Sequence, residues 1–482
     1  MTGKSVTARG ISLLLAIALV LGLWVPALGA EDDPREPTIR ESGTCGPDIT
    51  WTLDTDGVLA LAGTGGMTDI RYDSPWHSFR GDITSAILSD GITTVGANAF
   101  HSCDKLESVL LPASVTAIHE SAFYGCSSLQ GLVIPSAVTE IGINAFNSCH
   151  QLNSIQLPPG ITSLEEGVFS NCRALDAITI PSGVTSIGAN AFYNCPITEI
   201  DLPDGLKSAD VSAFSGTKIK SLRLPDGLTG LTGHLSGSVL ETLYIPGSAE
   251  NTSYNTYYGM FDGIRSLREV TLGEGATSLG YRFLHSCSNL TTVRLPSTLT
   301  EIGAQAFMSC SSLSALELPA GLEALGFGAF EGCGSLREIR VPEGVAHLYD
   351  GTFAGCSALE SVTLPAGLEA LGERVFENCA ALETLSIPAH VRLAGERVFK
   401  GMTSLRHIEL PASLEVIPPS MFTDDASLET IAIPDSVGEV GAYAFSGCAS
   451  LRSVRLPNTL KTIGSYAFYH CASLTEADRG QV

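Results

Sequence analysis

Residues 289–310 read NLTTVRLPSTLTEIGAQAFMSC, and three windows, each starting 23 residues after the one before, repeat the pattern. They are SLSALELPAGLEALGFGAFEGC (312–333), SLREIRVPEGVAHLYDGTFAGC (335–356) and ALESVTLPAGLEALGERVFENC (358–379). The closing phenylalanines, Phe307, Phe330, Phe353, Phe376, Phe399, Phe422, Phe445 and Phe468, keep this step of 23, as do Phe100, Phe123, Phe146, Phe169 and Phe192 upstream. A fixed period of this length marks a solenoid, in which each unit buries its apolar face only against its neighbours.

Within the unit, Leu-x-x-Val/Ile-x-Leu-Pro predicts a short strand whose apolar residues, Leu290, Val293 and Leu295 in the clearest copy, face the core. Stacked copies pair these strands in parallel. The proline that follows has no N–H for the ladder and ends the strand. Leu/Val-Thr-x-Ile-Gly gives a second apolar stretch on the opposite side, and Ala-Phe-x-x-Cys a tight helical turn. The glycine before that turn shares its slot with His119, Glu165, Tyr349 and Pro418. Proline cannot take positive φ, so close packing is the expected reason for glycine there.

Working outward, residues 1–30 read as a secretory signal peptide: Lys4 and Arg9, then an apolar run over 11–25, then small residues at 27–30. Cleavage after Gly29 or Ala30 fits equally, and no membrane span is expected afterwards. Residues 31–41 read as a flexible leader. Residues 42–82 read as an N-terminal cap: a β-hairpin around Asp56-Gly57, with Trp51 and Trp76 covering the first repeat. Residues 83–482 then hold about 17 units, irregular at 205–275. The predicted fold is therefore a solenoid of short parallel β-strands and short helical turns behind an N-terminal β-hairpin cap.

Chemistry is sparse in this pattern. With the signal removed, 25 Lys+Arg face 51 Asp+Glu, a surface that repels nucleic acid. Twelve of the 13 cysteines stand three residues after the phenylalanine slot. Met402 and Ile264 take the same slot elsewhere, so buried free thiols acting as apolar filler are expected rather than disulfides. The ten histidines form no HExxH or closed metal set, and Asp54-Thr55-Asp56-Gly57 reads as a turn rather than a calcium loop. No catalytic constellation, cofactor or metal site is expected.

Surface recognition is what remains. The outward strand position runs through Arg223, Tyr244, Thr271, Arg294, Glu317 and Arg340, either a charge ladder satisfied within itself or a row facing a ligand. Between Pro246 and Gly273 the step grows to 27, and the added residues include Tyr254, Tyr257 and Tyr258. That insert reads either as a decayed repeat or as a recognition loop. Tyr244, Tyr254, Tyr257, Tyr258, Arg223, Arg294 and Arg340 are the partner-binding candidates.

The unit L-x-x-I-x-L-P-x-x-V-T-x-I-G-x-x-A-F-x-x-C closely resembles the BspA-type leucine-rich repeat of bacterial surface proteins, also found in some protozoan parasites. Gly43-Thr-Cys-Gly, Trp51-Thr-Leu-Asp, residues 63–67 and Ser74-Pro75-Trp76 are similar to that family's N-terminal segment. The resemblance spans residues 42–471 and departs from the pattern in the central repeats. It implies a secreted or surface-held solenoid that adheres to host matrix proteins or other cells. Extracellular proteins or glycans are the partners this suggests. A structural spacer in an envelope assembly is the alternative.

Overall fold

The computed structural model describes residues 37–71, 73–251 and 259–479. The signal peptide and most of the leader read from the sequence lie outside them, as do Tyr254, Tyr257 and Tyr258. The chain divides into two units, 1–197 and 198–482, and both are solenoids built from the same turn.

The first unit opens with an antiparallel sheet of three strands, β1 (Ile39–Gly46), β2 (Ile49–Asp54) and β3 (Val58–Gly63). The β2–β3 pair is the hairpin expected from the sequence; β1 adds a strand that starts inside the stretch read as leader. Gly57 sits at φ 82°, and Asp54 Oδ1 accepts the N–H groups of Asp56 and Val58 at 2.9 and 2.8 Å. The acidic run is thus a turn closed by its own backbone. From β3 the pairing becomes parallel, to Ser85–Leu88 and on to Ser108–Leu110. A second ladder runs through Ile92–Val95, Ala117–Ile118 and Glu140–Ile141. From Ser85 onward the partners in these pairs are 23 residues apart, as the sequence period requires, while β3 in the cap pairs at a distance of 27.

Trp51 and Trp76 are buried and meet edge to face at 5.7 Å; Trp76 then lies 5.7 Å from Phe100. Phe100, Phe123, Phe146, Phe169 and Phe192 follow as a stack with centroids 5.1–6.1 Å apart and near-parallel planes. In the second unit the column runs from Phe307 to Phe468 with steps of 5.1–6.1 Å. Leu284 holds its slot fully buried, while Phe283 beside it meets Phe261 edge to face. Each phenylalanine before the half-buried Phe468 buries its ring, worth about 1.5–3 kcal/mol against exposure.

The Ala-Phe-x-x-Cys segment is not a helix. Among the described residues the only helices are the 3₁₀ turns His77–Phe79 and Val211–Phe214. Elsewhere alternate N–H groups leave the turn. Phe100 and Ser102 donate to the carbonyls of Ala122 and Tyr124 in the next repeat at 2.7 Å, whereas His101 and Cys103 donate back three residues. Turning every second N–H outward needs left-handed residues two before and two after the phenylalanine. Asn98 (57°) and Ser102 (58°), Asn144 (55°) and Ser148 (62°), and Arg374 (59°) and Asn378 (61°) all show it. The asparagines, serines and glycines in these two slots of the first unit are the residues that tolerate this conformation best. The sequence carried that signal, and it went unread.

The glycine before the turn behaves as expected. Gly326 has no positive φ, and a Cβ there would stand 2.3 Å from the Ala304 nitrogen of the preceding turn; at Gly142 the distance to Glu120 N is 2.6 Å. The strand is less enclosed than expected. Leu290 is fully buried, but Val293 and Leu295 are only half-buried.

Replacing Gly326 by alanine should therefore lower the unfolding free energy by about 1–3 kcal/mol. At Gly367 a Cβ meets nothing within 4 Å, so the same change there should move it by less than about 0.5 kcal/mol. Equal urea midpoints for the two variants would contradict the packing argument.

Candidate recognition surface

In the second unit, Ser221–Arg223, Thr242–Ile245, Glu269–Leu272 and Thr292–Arg294 form one parallel sheet. Successive partners are 21, 27 and 23 residues apart, so the ladder continues across the irregular region and the extra residues leave from outside it. Its register puts Arg223, Tyr244, Thr271 and Arg294 side by side in a single row. The parallel pleat turns all four side chains to the same face.

The row is partly organised. The Arg223 guanidinium lies over the Tyr244 ring at 3.8 Å, a cation–π contact. Tyr244 donates its hydroxyl to Asp226 Oδ1 at 2.7 Å, and Arg223 Nη2 donates to Asp226 Oδ2 at 3.2 Å. The bond to Asp226 pushes the Tyr244 phenol above its ordinary pKa, burial adding to it. Asp226 was not among the sequence candidates. It belongs to the Pro225-Asp226-Gly227 turn that follows the strand, and such turns had been read only as strand ends. Arg294 is exposed and reaches Glu269 at 3.4 Å. Arg340 stands apart from these four, exposed beside Thr363 in another strand pair. Among the described residues Arg340 makes no ion pair, so the proposed neutralisation of Arg294 and Arg340 by Glu317 is not what the side chains do.

Among the described residues no three His, Cys, Asp or Glu side chains could hold a metal ion, and no helix is long and apolar enough to cross a membrane. All 13 cysteines are free, and all but Cys471 are buried. They are more than filler. The thiol of Cys126 donates to the carbonyl of Phe100 at 3.1 Å, 26 residues back, and the bond recurs from Cys149 to Phe123, Cys333 to Phe307 and Cys448 to Phe422 at 3.1–3.2 Å. Burial pushes the Cys149 and Cys356 thiols up to about 12. The reactive thiolate is therefore suppressed.

Asp425 stands in a cysteine slot. It is fully buried; Oδ1 accepts the Met402 N–H at 2.8 Å, while Oδ2 has no hydrogen-bond partner. Burial pushes this carboxyl well above its ordinary value, which favours the protonated form in the folded chain.

The model of the BspA type leucine rich repeat region matches residues 77–195, 139–260, 257–360, 324–441 and 415–480, which together cover most of the chain. The chain belongs to this family. No curated protein matches it in sequence. Among solved structures it is similar to a leucine-rich repeat protein from Bacteroides ovatus, at 23% identity over 89% of this chain and 92% of that one, with a TM-score of 0.49. A second, from Eubacterium ventriosum, is 20% identical over 90% of this chain and 96% of that one, with a TM-score of 0.34. A leucine rich cell surface protein from Faecalibacterium prausnitzii is 19% identical over 93% and 96%, with a TM-score of 0.25.

Two expectations follow from the buried column. In the native BspA-type chain a thiol-specific chromogenic disulfide should label Cys471 at most, with the remaining cysteines reacting only after denaturation; rapid native labelling of several would refute the burial. For Asp425 the unfolded chain ionises near the ordinary 3.8, and the folded chain only at a higher pH. The stability this group permits is thus fully present below that pH and falls as pH rises toward the folded value. Asp425→Asn should raise the thermal midpoint at pH 7, with the gain vanishing toward pH 3. A gain independent of pH would contradict a buried neutral carboxyl.

Proposed function

We propose that this protein is a secreted or surface-exposed recognition protein that mediates adhesion by binding extracellular proteins or glycans, without catalysis. Membership of a family of leucine-rich repeat surface proteins supports the compartment and the binding role. The observation that carries the reading is the row Arg223–Tyr244–Thr271–Arg294 in register on one sheet face. Tyrosine and arginine dominate protein contacts because each offers a large area with directed polar atoms. Here Asp226 already holds both Tyr244 and Arg223, which lowers the entropy lost on binding. In sequence Tyr254, Tyr257 and Tyr258 fall between the second and third strands of this sheet, and we assign them to the same surface. Arg340 would extend it.

The test is binding of the full chain to immobilised fibronectin, laminin and collagen and to intact host cells, followed by surface plasmon resonance. Saturable binding is expected to at least one of them. Arg223→Ala with Tyr244→Ala should weaken it by about 30-fold, the loss of roughly 2 kcal/mol typical of a contact centre. Saturable binding that the double variant leaves unchanged would move the contact away from this row. Absence of binding to every surface would favour a structural spacer.

A further inference from the structure

The first unit offers a distinct site of its own. The residues two before and one after each phenylalanine line the outer side of the Ala-Phe turns. Over three successive turns they are Asn144 and Asn147, Gly167 and Ser170, and Asn190 and Tyr193. The middle pair has almost no side chain, so the outer pairs become walls of a notch of about 430 Å³. The turns are 5.6 and 6.1 Å apart at their phenylalanines, which sets the width. Glu166 also lines it.

The same arrangement occurs in the second unit, where it is closed. Glu331, Gly351 and Ala354, and Arg374 stand in the corresponding slots eight repeats on. There Arg374 reaches over the glycine turn to Glu331 at 2.9 Å and also holds Glu377 at 2.6 Å, filling the space with an ion pair. In the first unit both partners of that pair are replaced by asparagine, at 190 and 147. The amides are oriented by neighbours: Asn147 Nδ2 donates to Asn144 Oδ1 at 2.8 Å, Ser148 Oγ to Asn147 Oδ1 at 2.8 Å, and Asn171 Nδ2 to Ser170 Oγ at 3.1 Å. Gly167 is required beside them: it takes φ 61°, and a Cβ there would stand 2.1 Å from Asn144 Oδ1. On the preceding turns the slot after the phenylalanine holds His101 and Tyr124, which stack at 4.9 Å.

We propose that this notch binds a neutral sugar residue of a glycan. Amides can each donate and accept, the combination that neighbouring hydroxyl groups require. The Tyr193 ring supplies an apolar wall, and one carboxylate accepts from hydroxyls while repelling anionic ligands. No cation lines the notch, so phosphate, sulfate and sialic acid are disfavoured. An extended peptide would need a longer open edge than two turn steps provide. The inference rests on the recognition role proposed above and names one ligand class for it, at a site separate from the Arg223–Tyr244 row.

The experiment is saturation-transfer NMR on the full chain with glucose, galactose, mannose and N-acetylglucosamine, with N-acetylneuraminic acid as the anionic comparison. At least one neutral sugar should bind saturably, at roughly 0.1–10 mM as expected for a single ring, and the anionic sugar should not. Asn147→Glu with Asn190→Arg rebuilds the closed pair of the second unit, and Arg374 shows that arginine is accepted at positive φ in this slot. This variant should keep or raise the thermal midpoint while weakening sugar binding by at least about tenfold. Tyr193→Ala is the second variant and should weaken binding with the amides intact. No saturable neutral sugar, or binding that survives both variants, overturns the site. Matrix-protein binding lost in Arg223→Ala/Tyr244→Ala but kept in the notch variants would leave the recognition role standing while this site fell.

Discussion

Every second N–H of the Ala-Phe-x-x-Cys turn is donated out of its own repeat to a carbonyl of the next, and the remaining architecture follows from that obligation. A buried N–H without a partner costs about as much as the hydrogen bond it forgoes. Each turn must therefore present its carbonyls at the same height and rotation as the one before, and the chain must return after a constant path. Such a constraint explains the fixed 23-residue step, the stacked phenylalanines and the two columns of left-handed residues together. It also explains the glycine, because turns brought this close leave no room for a Cβ near the preceding backbone. Trp76 of the cap obeys the same requirement from the other side: it donates its indole N–H to the Ala99 carbonyl at 2.9 Å while extending the ring column, whereas the buried Trp51 Nε1 has no such partner.

The cysteine column shows how a side chain can serve this backbone scheme. A phenylalanine carbonyl has two lone pairs; one takes the N–H three residues on, and the other takes the thiol of the next turn. A weak donor of small volume suits that place. Asp425 and Met402 show the two ways of departing from it, one polar, the other apolar. Burial keeps the thiols of the column, Cys471 at its end excepted, from the thiolate form.

Much of this was legible in the repeat. The period, the strand and proline slots and the buried glycine were read from residues such as Pro296, Phe307 and Pro418, since each has one physical role that its neighbours in the pattern share. The left-handed columns were missed because the asparagine, serine and glycine preference of the first unit gives way in the second to residues such as Arg374 and Tyr443, which hide it. Asp226 was missed for a different reason. Its tie to Arg223 and Tyr244 depends on a strand 18 residues away lying alongside, which no local pattern displays.

Sequence by itself therefore determined the class of fold, its step and the identity of the core, because a solenoid writes each contact into every repeat. Tertiary structure decided which variable residues meet. The row Arg223–Tyr244–Thr271–Arg294 exists because the ladder keeps register through steps of 21, 27 and 23 residues, a correction that counting could not supply. The same holds for the notch between residues 144 and 193: whether two facing slots are bridged, as by Arg374 and Glu331, or left open depends on side-chain reach across a glycine turn, a distance in space rather than along the chain.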